Sequence, residues 1–423
     1  MKVSFILEKL LEKEKHLGVR NFFFILSIIS CLMNPFAKVG LAQVVEQSQP
    51  APAAVKPLPA KVPMVAEDGA VSTSRLALPF KKIWQYLDDT TTLAPSVDEA
   101  RIYLPLAQGR VICLDRASGS RVWMDEVGGQ VSASVAIGES AVFIATRKFA
   151  DDGSEAGAAL RAVDKLTGLT LWARDYPRPF TSSFAISGKR LYAGNADGSL
   201  YALSADDGAI IWQAKTSDVI RSRPLVFESV IYFGSDDGAL RGVEMDNGHE
   251  VFKFQSKGKI ACTPVIDEKY LYLGSGDGQV YALERLTGKL KWQTRTGAGI
   301  ETSPVLIGDQ VLVASFDNFI YAIAKTTGNK IWKRRFENRL TATPIVEGDA
   351  VLIAPFRGDH IAVFLNSDGR RVNFYQLDKG NEIVAQPVFT DNLLVIATDK
   401  GLIVAQATLP TDTNTNALKK PKP

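Results

Sequence analysis

The chain has 423 residues, of which 46% are hydrophobic, with 49 Lys or Arg side chains and 46 Asp or Glu. Residues 1–42 hold six of the basic and three of the acidic side chains, so the remainder carries 43 of each sign. This balance argues against a nucleic-acid-binding protein, which needs a concentrated basic field. The apolar residues come in short runs separated by Asp-Gly and Thr-Gly pairs, which is typical of strands and tight turns.

The N-terminus has the order of a secretory signal. Basic residues up to Arg20 precede an apolar stretch from residue 22 to residue 33, and a small-residue site ends at Ala42. The apolar stretch is short for a bilayer span, so we expect a cleaved signal peptide over residues 1–42, with a retained signal anchor as the alternative. Cys31 only loosely fits a lipoprotein cleavage site, because the residues after it stay apolar, and lipidation is a second alternative.

Two segments have compositions that cannot bury a core. Residues 43–75 are rich in Pro and Ala and predict an extended linker. Residues 410–423 are polar, end in Lys-Lys-Pro-Lys-Pro and predict a disordered tail. The folded domain is therefore expected over residues 76–409.

One aromatic position recurs through that domain, and all six Trp residues of the chain occupy it. Successive occurrences are 39, 49, 40, 40, 40 and 40 residues apart. The positions are Trp84, Trp123, Trp172, Trp212, Phe252, Trp292 and Trp332. An eighth position falls near Val372. A repeat of about 40 residues indicates one supersecondary unit that packs against copies of itself.

Two further markers keep the same phase as the aromatic. A proline stands 28 residues before it in five repeats, and predicts the innermost strand of each unit. These prolines are Pro95, Pro224, Pro264, Pro304 and Pro344. Asp-Gly pairs at 197–198, 237–238 and 277–278 predict a hairpin turn between the next two strands. The nine extra residues of the second repeat fall at this turn, near Phe149.

Each unit thus contains an inner strand, a hairpin pair and an outer strand that carries the aromatic. Four-stranded units of about 40 residues build propeller blades. The last unit, with its final strand near Leu402, lacks an outer strand, which the segment around Trp84 can supply. The sequence predicts an all-β, eight-bladed β-propeller of four-stranded blades, closed by an N-terminal strand that completes the last blade. The recurring aromatics are then expected to dock each blade on its neighbour.

No catalytic, cofactor or metal site is predicted. His16, His249 and His360 lie far apart in sequence and have no metal-ligand spacing. The Asp-Gly turns lack the alternating oxygen ligands of a calcium loop. Cys113 and Cys262 fall on blades four apart, too distant for a disulfide, and are expected to be small buried hydrophobes.

One sequence pattern resembles a known family. Residues 162–172 read Ala-Val-Asp-Lys-Leu-Thr-Gly-Leu-Thr-Leu-Trp, and residues 282–292 and 322–332 share this pattern apart from the Asp. It resembles the Trp-docking repeat of the PQQ-like, or quinoprotein-type, propellers. The chain lacks the Cys-Cys pair and the length of the quinoprotein alcohol dehydrogenases and is similar instead to the compact branch containing the outer-membrane assembly factor BamB. That resemblance implies a non-catalytic periplasmic scaffold without a cofactor, which supports insertion of outer-membrane β-barrel proteins by binding BamA-like periplasmic domains.

The resemblance also implies a partner-binding site just after Trp212. Ile220 and Arg221 occupy the place of an exposed apolar-plus-Arg loop in that branch, and Asp236 and Asp237 lie in the turn of the same blade. An exposed aliphatic side chain beside an Arg and acidic residues is typical of interaction hot spots. We expect these four residues to bind the partner; the alternative is an ordinary connection between blades with solvated charges.

Two other functions stay open at this stage. A degenerate or active relative of the PQQ-dependent dehydrogenases would bind PQQ in the channel, and an envelope carbohydrate-binding propeller would use a surface. For each reading the expected location is the periplasm or cell envelope. Attachment to the outer membrane would then come from a partner or from a lipid.

Overall fold

The structure, a computed structural model, describes residues 64–65 and 71–408. The predicted signal peptide, the predicted tail and most of the predicted linker lie outside these residues. The described residues form eight antiparallel sheets and a small hairpin of Met64–Val65 with Val71–Ser72. Helical structure in this part is limited to two short 3-10 turns, Arg75–Ala77 and Ala107–Gly109, and no helix there could cross a membrane. The predicted all-β, eight-bladed β-propeller is confirmed.

Blades 1 to 4 follow the chain, and their strands are given from the inner to the outer edge of each sheet. Blade 1 contains Ser96–Val97, Arg101–Leu106, Arg110–Asp115 and Arg121–Glu126. Blade 2 contains Gln130–Val131, Ala136–Ile137, Ala141–Phe149, Glu155–Asp164 and Thr170–Tyr176. Blade 3 contains Ala185–Ser187, Arg190–Gly194, Ser199–Ser204 and Ile210–Lys215. Blade 4 contains Leu225–Phe227, Val230–Gly234, Ala239–Glu244 and Glu250–Gln255.

Blades 5 to 8 continue the ring in the same way. Blade 5 contains Val265–Ile266, Tyr270–Gly274, Gln279–Glu284 and Leu290–Arg295. Blade 6 contains Val305–Ile307, Gln310–Ser315, Phe319–Ala324 and Lys330–Arg335. Blade 7 contains Ile345–Glu347, Ala350–Ile353, His360–Leu365 and Arg371–Gln376. Blade 8 contains Val388–Thr390, Leu393–Thr398, Gly401–Ala407 and, as its outer strand, Phe80–Leu87.

Blade 8 is built from both ends of the domain, as the sequence predicted. Phe80–Leu87 pairs antiparallel with Gly401–Ala407, and Trp84 lies opposite Val404. The buried guanidinium of Arg116 in blade 1 then joins blades 1 and 8, since both of its terminal nitrogens donate to Asp391 at 3.0 Å. The ring is thus closed by strand pairing and by a charge-assisted contact.

The segment before the closing strand is already part of the fold. The backbone N–H and Nε of Arg75 each donate to Glu347 of blade 7 at 2.7 Å, and Ser72 donates to Asp349 at 2.6 Å. Leu76 is fully buried in the same region. Residues from Ser72 onward are therefore held against blade 7.

A β-bulge in the outer strand of every blade sets the orientation of the residue at the joint, which is an aromatic in all blades except blade 7. In blade 3, Ala202 pairs with Trp212 and Leu203 pairs with Ile210, so Ile211 is the extra residue. The same register shift occurs at this position in the other seven blades. A bulge bends its strand and re-aims the next side chain, which here turns toward the neighbouring blade.

The core lies between the blades. In the described part, the buried apolar side chains form eight clusters, each shared by two adjacent blades.

The five prolines of the repeat stand immediately before an inner strand, one residue outside the position predicted for them. The long hairpin of blade 2, with its turn after Phe149, holds the predicted insertion.

Candidate functional site

The four predicted partner-binding residues lie around one loop of blade 4. Residues 216–224 connect the outer strand of blade 3 to the inner strand of blade 4 and pack beside the hairpin turn that contains Asp236 and Asp237. The N–H of Asp236 donates to the carbonyl of Val219 at 2.9 Å, which fixes the loop against the turn. The structure therefore brings the four residues together, but it does not expose all of them.

The expectation that Ile220 is an exposed aliphatic is wrong. Its side chain is 0% exposed and belongs to the cluster between blades 3 and 4. A Cβ on Gly194 would come within 2.3 Å of the Ile220 methyl group, so the two backbones are closely packed. Ile260 and Ile300 occupy the same position in the next blades and are also fully buried. Ile220 is thus a core residue of the repeat and offers no surface to a partner.

Arg221 is exposed on this surface and forms an ion pair with the partly buried Asp236. Nε of Arg221 donates to Oδ2 of Asp236 at 2.8 Å, and the Arg221 side chain is 51% exposed. The corresponding residues of blades 5 and 6 are Ala261 and Glu301, so the Arg is particular to this blade. Oδ1 of Asp236 is buried and has no hydrogen-bond partner among the described residues. The pair presents a fixed guanidinium whose remaining N–H groups face solvent.

Asp237 has a structural role instead. Its carboxylate accepts two hydrogen bonds from the buried Arg241, at 2.7 and 3.1 Å, and one from the N–H of Ser217. Burial alone would raise the pKa of Asp237, but the hydrogen bonds from Arg241 and from backbone N–H groups outweigh it and lower that pKa. In blade 5 the equivalent Asp277 accepts from Tyr281 at 2.7 Å, so this contact is another feature of the repeat.

The structure places the recurring aromatics at the joints between blades. Trp292 packs on Gly328 in the outer turn of blade 6, and its Nε1 donates to the carbonyl of Lys325 at 2.7 Å. Gly328 has a φ of 76°, and a Cβ there would lie 2.9 Å from the indole, so glycine is required. Equivalent indole bonds of 2.7–3.2 Å join Trp84 to Arg116, Trp123 to Lys165, Trp172 to Ala205, Trp212 to Met245 and Trp332 to Asn366. The glycine of each outer turn therefore receives the aromatic of the preceding blade.

Two joints depart from this pattern. Phe252 covers Gly288 but has no N–H, and the carbonyl of Arg285 instead accepts a long 3.4 Å bond from Tyr232. The eighth joint is made by Asn373, one residue after the predicted position at Val372. Blade 8 has no turn leading into its outer strand, because that strand, Phe80–Leu87, comes from the N-terminal end of the domain. Nδ2 of Asn373 donates to two carbonyls of the N-terminal segment, those of residues 76 and 78, at 2.8 and 2.6 Å.

The two cysteines of the propeller have repeat positions of their own. Cys113 faces Trp123 across the sheet, at the place where blade 3 has Ala202. Cys262 precedes the inner strand of blade 5 and its thiol donates to the carbonyl of Gly274 at 3.2 Å. Both thiols are free and buried, and burial raises the pKa of each to about 12. Neither is a candidate nucleophile or metal ligand.

Sequence reasoning missed two further features. Arg223 stands before Pro224 at the inner end of blade 4. Its side chain is in contact with solvent, but the surrounding protein partly desolvates the guanidinium and lowers its pKa. Its Nε donates to the carbonyl of Phe184 at 3.2 Å. The other feature is a basic groove between blades 6 and 7. Its sequence signal is the outer strand Lys-Ile-Trp-Lys-Arg-Arg, which carries four positive charges in six residues.

Metal-ligating groups do not converge anywhere in the described part of the chain. No set of three or more His, Cys, Asp or Glu side chains is arranged there to hold a metal ion. His360 begins a strand of blade 7, stacks on Phe374 with ring centroids 5.0 Å apart and contacts Asp359.

Besides the basic groove, a cavity of about 420 Å³ lies at the inner ends of blades 7, 8 and 1. It is lined mainly by apolar side chains and Gln386.

Comparisons with known proteins agree with this architecture. A sequence model of the family described as outer membrane protein assembly factor BamB matches residues 81–172, 156–263 and 256–420. The outer membrane protein assembly factor BamB of Nitrosomonas eutropha is 27% identical over 137 residues, which are 32% of this chain and 31% of that protein. The match therefore spans about a third of the length of this curated relative.

Solved structures show the same fold. The crystal structure of BamB from Moraxella catarrhalis superposes with a TM-score of 0.67 at 18% identity, covering 78% of this chain and 100% of that one. The computationally designed protein Ika8 superposes with a TM-score of 0.64 at 17% identity, covering 77% of this chain and 98% of that one. At these identities the likeness concerns the fold alone. Because the family model covers most of the propeller, the chain belongs to the family of the outer membrane protein assembly factor BamB.

Proposed function

We propose that this protein is a non-catalytic scaffold of the bacterial cell envelope that supports assembly of outer-membrane β-barrel proteins by binding a partner protein. The observation that carries the proposal is the match of the BamB family model across the propeller. The described residues form a ring of eight similar blades, and Arg221, which differs from its equivalents in blades 5 and 6, lies in a loop, which suits a scaffold. The protein is exported to the periplasm, as the N-terminal sequence suggests.

We further propose that the partner contacts the Arg221–Asp236 pair, and that it is a periplasmic domain of a BamA-like protein. The guanidinium is held by Asp236 and keeps free donors, so little side-chain entropy is lost when it meets a carboxylate or carbonyl of the partner. Ile220 takes no part in this contact, since it is buried. The proposed surface is therefore polar, with the loop backbone around residue 221 held in place by the hydrogen bond from Asp236 to Val219.

In-cell photocrosslinking from position 221 tests this proposal. A photoreactive amino acid at Arg221 is expected to capture a component of the barrel-assembly machinery. The same amino acid at Ala261, the equivalent position of blade 5, is the matched control and is expected to capture it less. If position 221 captures no such component while the variant remains folded, the proposed site is wrong.

A charge reversal gives an independent measurement. Arg221→Glu breaks the ion pair and places two carboxylates together, so we expect at least about a tenfold loss of partner affinity. Arg295→Glu, on the outer strand of blade 5, changes the net charge equally at a distant place and is expected to leave affinity unchanged. Equal affinity for the wild-type protein and both variants would refute the proposed contact.

A further inference from the structure

An open groove of about 610 Å³ lies between the outer strands of blades 6 and 7. Aromatic side chains form part of its wall: Phe336, Phe364 and Phe374. Four arginines also line it: Arg334, Arg335, Arg370 and Arg371. Glu337 is the acidic side chain of the lining. The groove thus combines an apolar wall with an excess of positive charge.

The arginines are only partly neutralised by the protein itself. Arg370 pairs with Asp368 at 2.7 Å. Arg334 is fixed by the carbonyls of Gly369 and Asp368, at 2.8 and 3.0 Å, which hold its position without cancelling its charge. Within residues 71–408, neither Arg335 nor Arg371 has a carboxylate within 4.0 Å. Two guanidinium groups therefore retain their full hydrogen-bonding capacity toward a ligand.

The charge is local to this part of the ring. The outer strand of blade 6, Lys330–Arg335, has four cations and no acid, whereas the equivalent strand Ile210–Lys215 of blade 3 has one cation. Outside residues 1–42 the chain carries as many acidic as basic side chains. A concentrated patch on a neutral chain selects a ligand of the opposite sign.

The backbone edge and the aromatic ring at the groove favour a peptide over an isolated anion. Lys330–Arg335 is the edge strand of its sheet, so backbone N–H and C=O groups are available along it. The exposed ring of Phe374 lies beside the Arg371 guanidinium, 5.4 Å from its central carbon, and offers an apolar contact that a phosphate ion would not use. An extended acidic segment with one large apolar side chain matches all three features.

We propose that this groove binds an extended acidic segment of a partner protein, with an apolar side chain of the segment against Phe374 and its carboxylates on Arg335 and Arg371. This inference goes beyond the contact proposed at Arg221, which lies on blade 4, three blades from blade 7. A propeller with both sites holds two protein segments at separate places on its ring. Bidentate Arg–carboxylate pairs in the groove supply the specificity.

A labelled peptide of alternating Asp and Glu around a central Phe is the probe, with binding to the mature protein followed by fluorescence anisotropy. At a physiological ionic strength of about 0.15 M, we expect saturable binding that weakens at least about tenfold in R335E/R371E. R295E is the matched control, because Arg295 has the position of Arg335 one blade earlier, and it is expected to bind like wild type. A peptide with Ala in place of Phe is expected to bind several-fold more weakly, because it lacks the ring that contacts Phe374.

Other results would overturn the proposal. They are absence of peptide binding, equal losses in R295E and R335E/R371E, and equal binding of the Phe and Ala peptides. Binding only to phosphatidylglycerol vesicles would assign the groove to a lipid surface, and displacement of the peptide by millimolar phosphate would assign it to an anion. The R221E variant is expected to keep full peptide binding, so failure at one site is distinguishable from failure at the other. Far-UV circular dichroism of each variant establishes that the propeller remains folded.

Discussion

Replacing Phe252 by Trp is expected to stabilise the propeller. Phe252 is a joint aromatic without an N–H donor, and the carbonyl of Arg285 that it faces receives only a 3.4 Å bond from Tyr232. The joint can accept the larger ring, because Tyr232 and Phe252 lie 6.0 Å apart at 43°, while Tyr272 and Trp292 lie 5.9 Å apart at 42° one blade later. An indole at residue 252 would therefore meet the same neighbour in the same geometry.

The magnitude follows from one hydrogen bond and a modest gain in buried area. A net intramolecular hydrogen bond contributes about 0.5–1.5 kcal/mol, so F252W is expected to raise the free energy of unfolding by about 1 kcal/mol. The reverse change, W292F, removes the 2.7 Å bond to Lys325 and leaves that carbonyl unpaired in a part-buried joint. It is expected to lower the free energy of unfolding by about 1–3 kcal/mol.

Urea denaturation measured by far-UV circular dichroism compares the three proteins. Circular dichroism is preferred to fluorescence because the substitutions change the number of Trp residues. The midpoint is expected to rise for F252W and fall for W292F at a constant m-value, which signals an unchanged extent of unfolding. A destabilised F252W, or a W292F variant as stable as wild type, would refute the view that the indole bond sets the strength of these joints.

Two further predictions concern thiols and pH. Because burial raises the pKa of Cys113 and Cys262 to about 12, Ellman's reagent at about pH 8 is expected to modify neither in the folded protein and both in urea; rapid modification of the native protein would contradict this. Burial alone would raise the pKa of Glu347, but hydrogen bonds from Ser74 and Arg75 outweigh it and lower that pKa. The stability advantage of wild type over E347Q is therefore expected above about pH 4.3 and should vanish as pH falls through the lower pKa of the folded state. Urea titrations at neutral and acidic pH measure it, and a difference independent of pH would show that the carboxylate charge is not responsible.

The architecture was predictable because every blade packs on its neighbours through the same kind of contact. Trp292 and Trp332 stand 40 residues apart, since a blade buries its faces only against its neighbours, and the aromatic marks that contact directly in the sequence. The role of Asn373 was not predictable in this way. Its partners are carbonyls of a segment almost 300 residues earlier, and no local pattern indicates that the N-terminal segment forms this joint.

The candidate site was less predictable, for two different reasons. Ile220 was expected at the surface from a resemblance of the loop, although its repeat phase already matched Ile260 and Ile300, which share its buried position. The phase of the repeat is the stronger guide to burial, because equivalent positions meet equivalent neighbours. The groove between Arg335 and Arg371 depends instead on the approach of two blades, and spacing alone does not place those side chains on one surface.

The pairing of Phe80–Leu87 with Gly401–Ala407 also has a consequence for how the protein is made. Phe80–Leu87 cannot pair until Gly401–Ala407 has been synthesised, so seven blades can form while the eighth is incomplete. During that interval Phe80–Leu87 is an unpaired strand, whose free backbone groups invite association with other chains. A chain that ends before residue 401 leaves Phe80–Leu87 without its partner strand. Ring closure therefore reports that synthesis has passed the last strand, Gly401–Ala407.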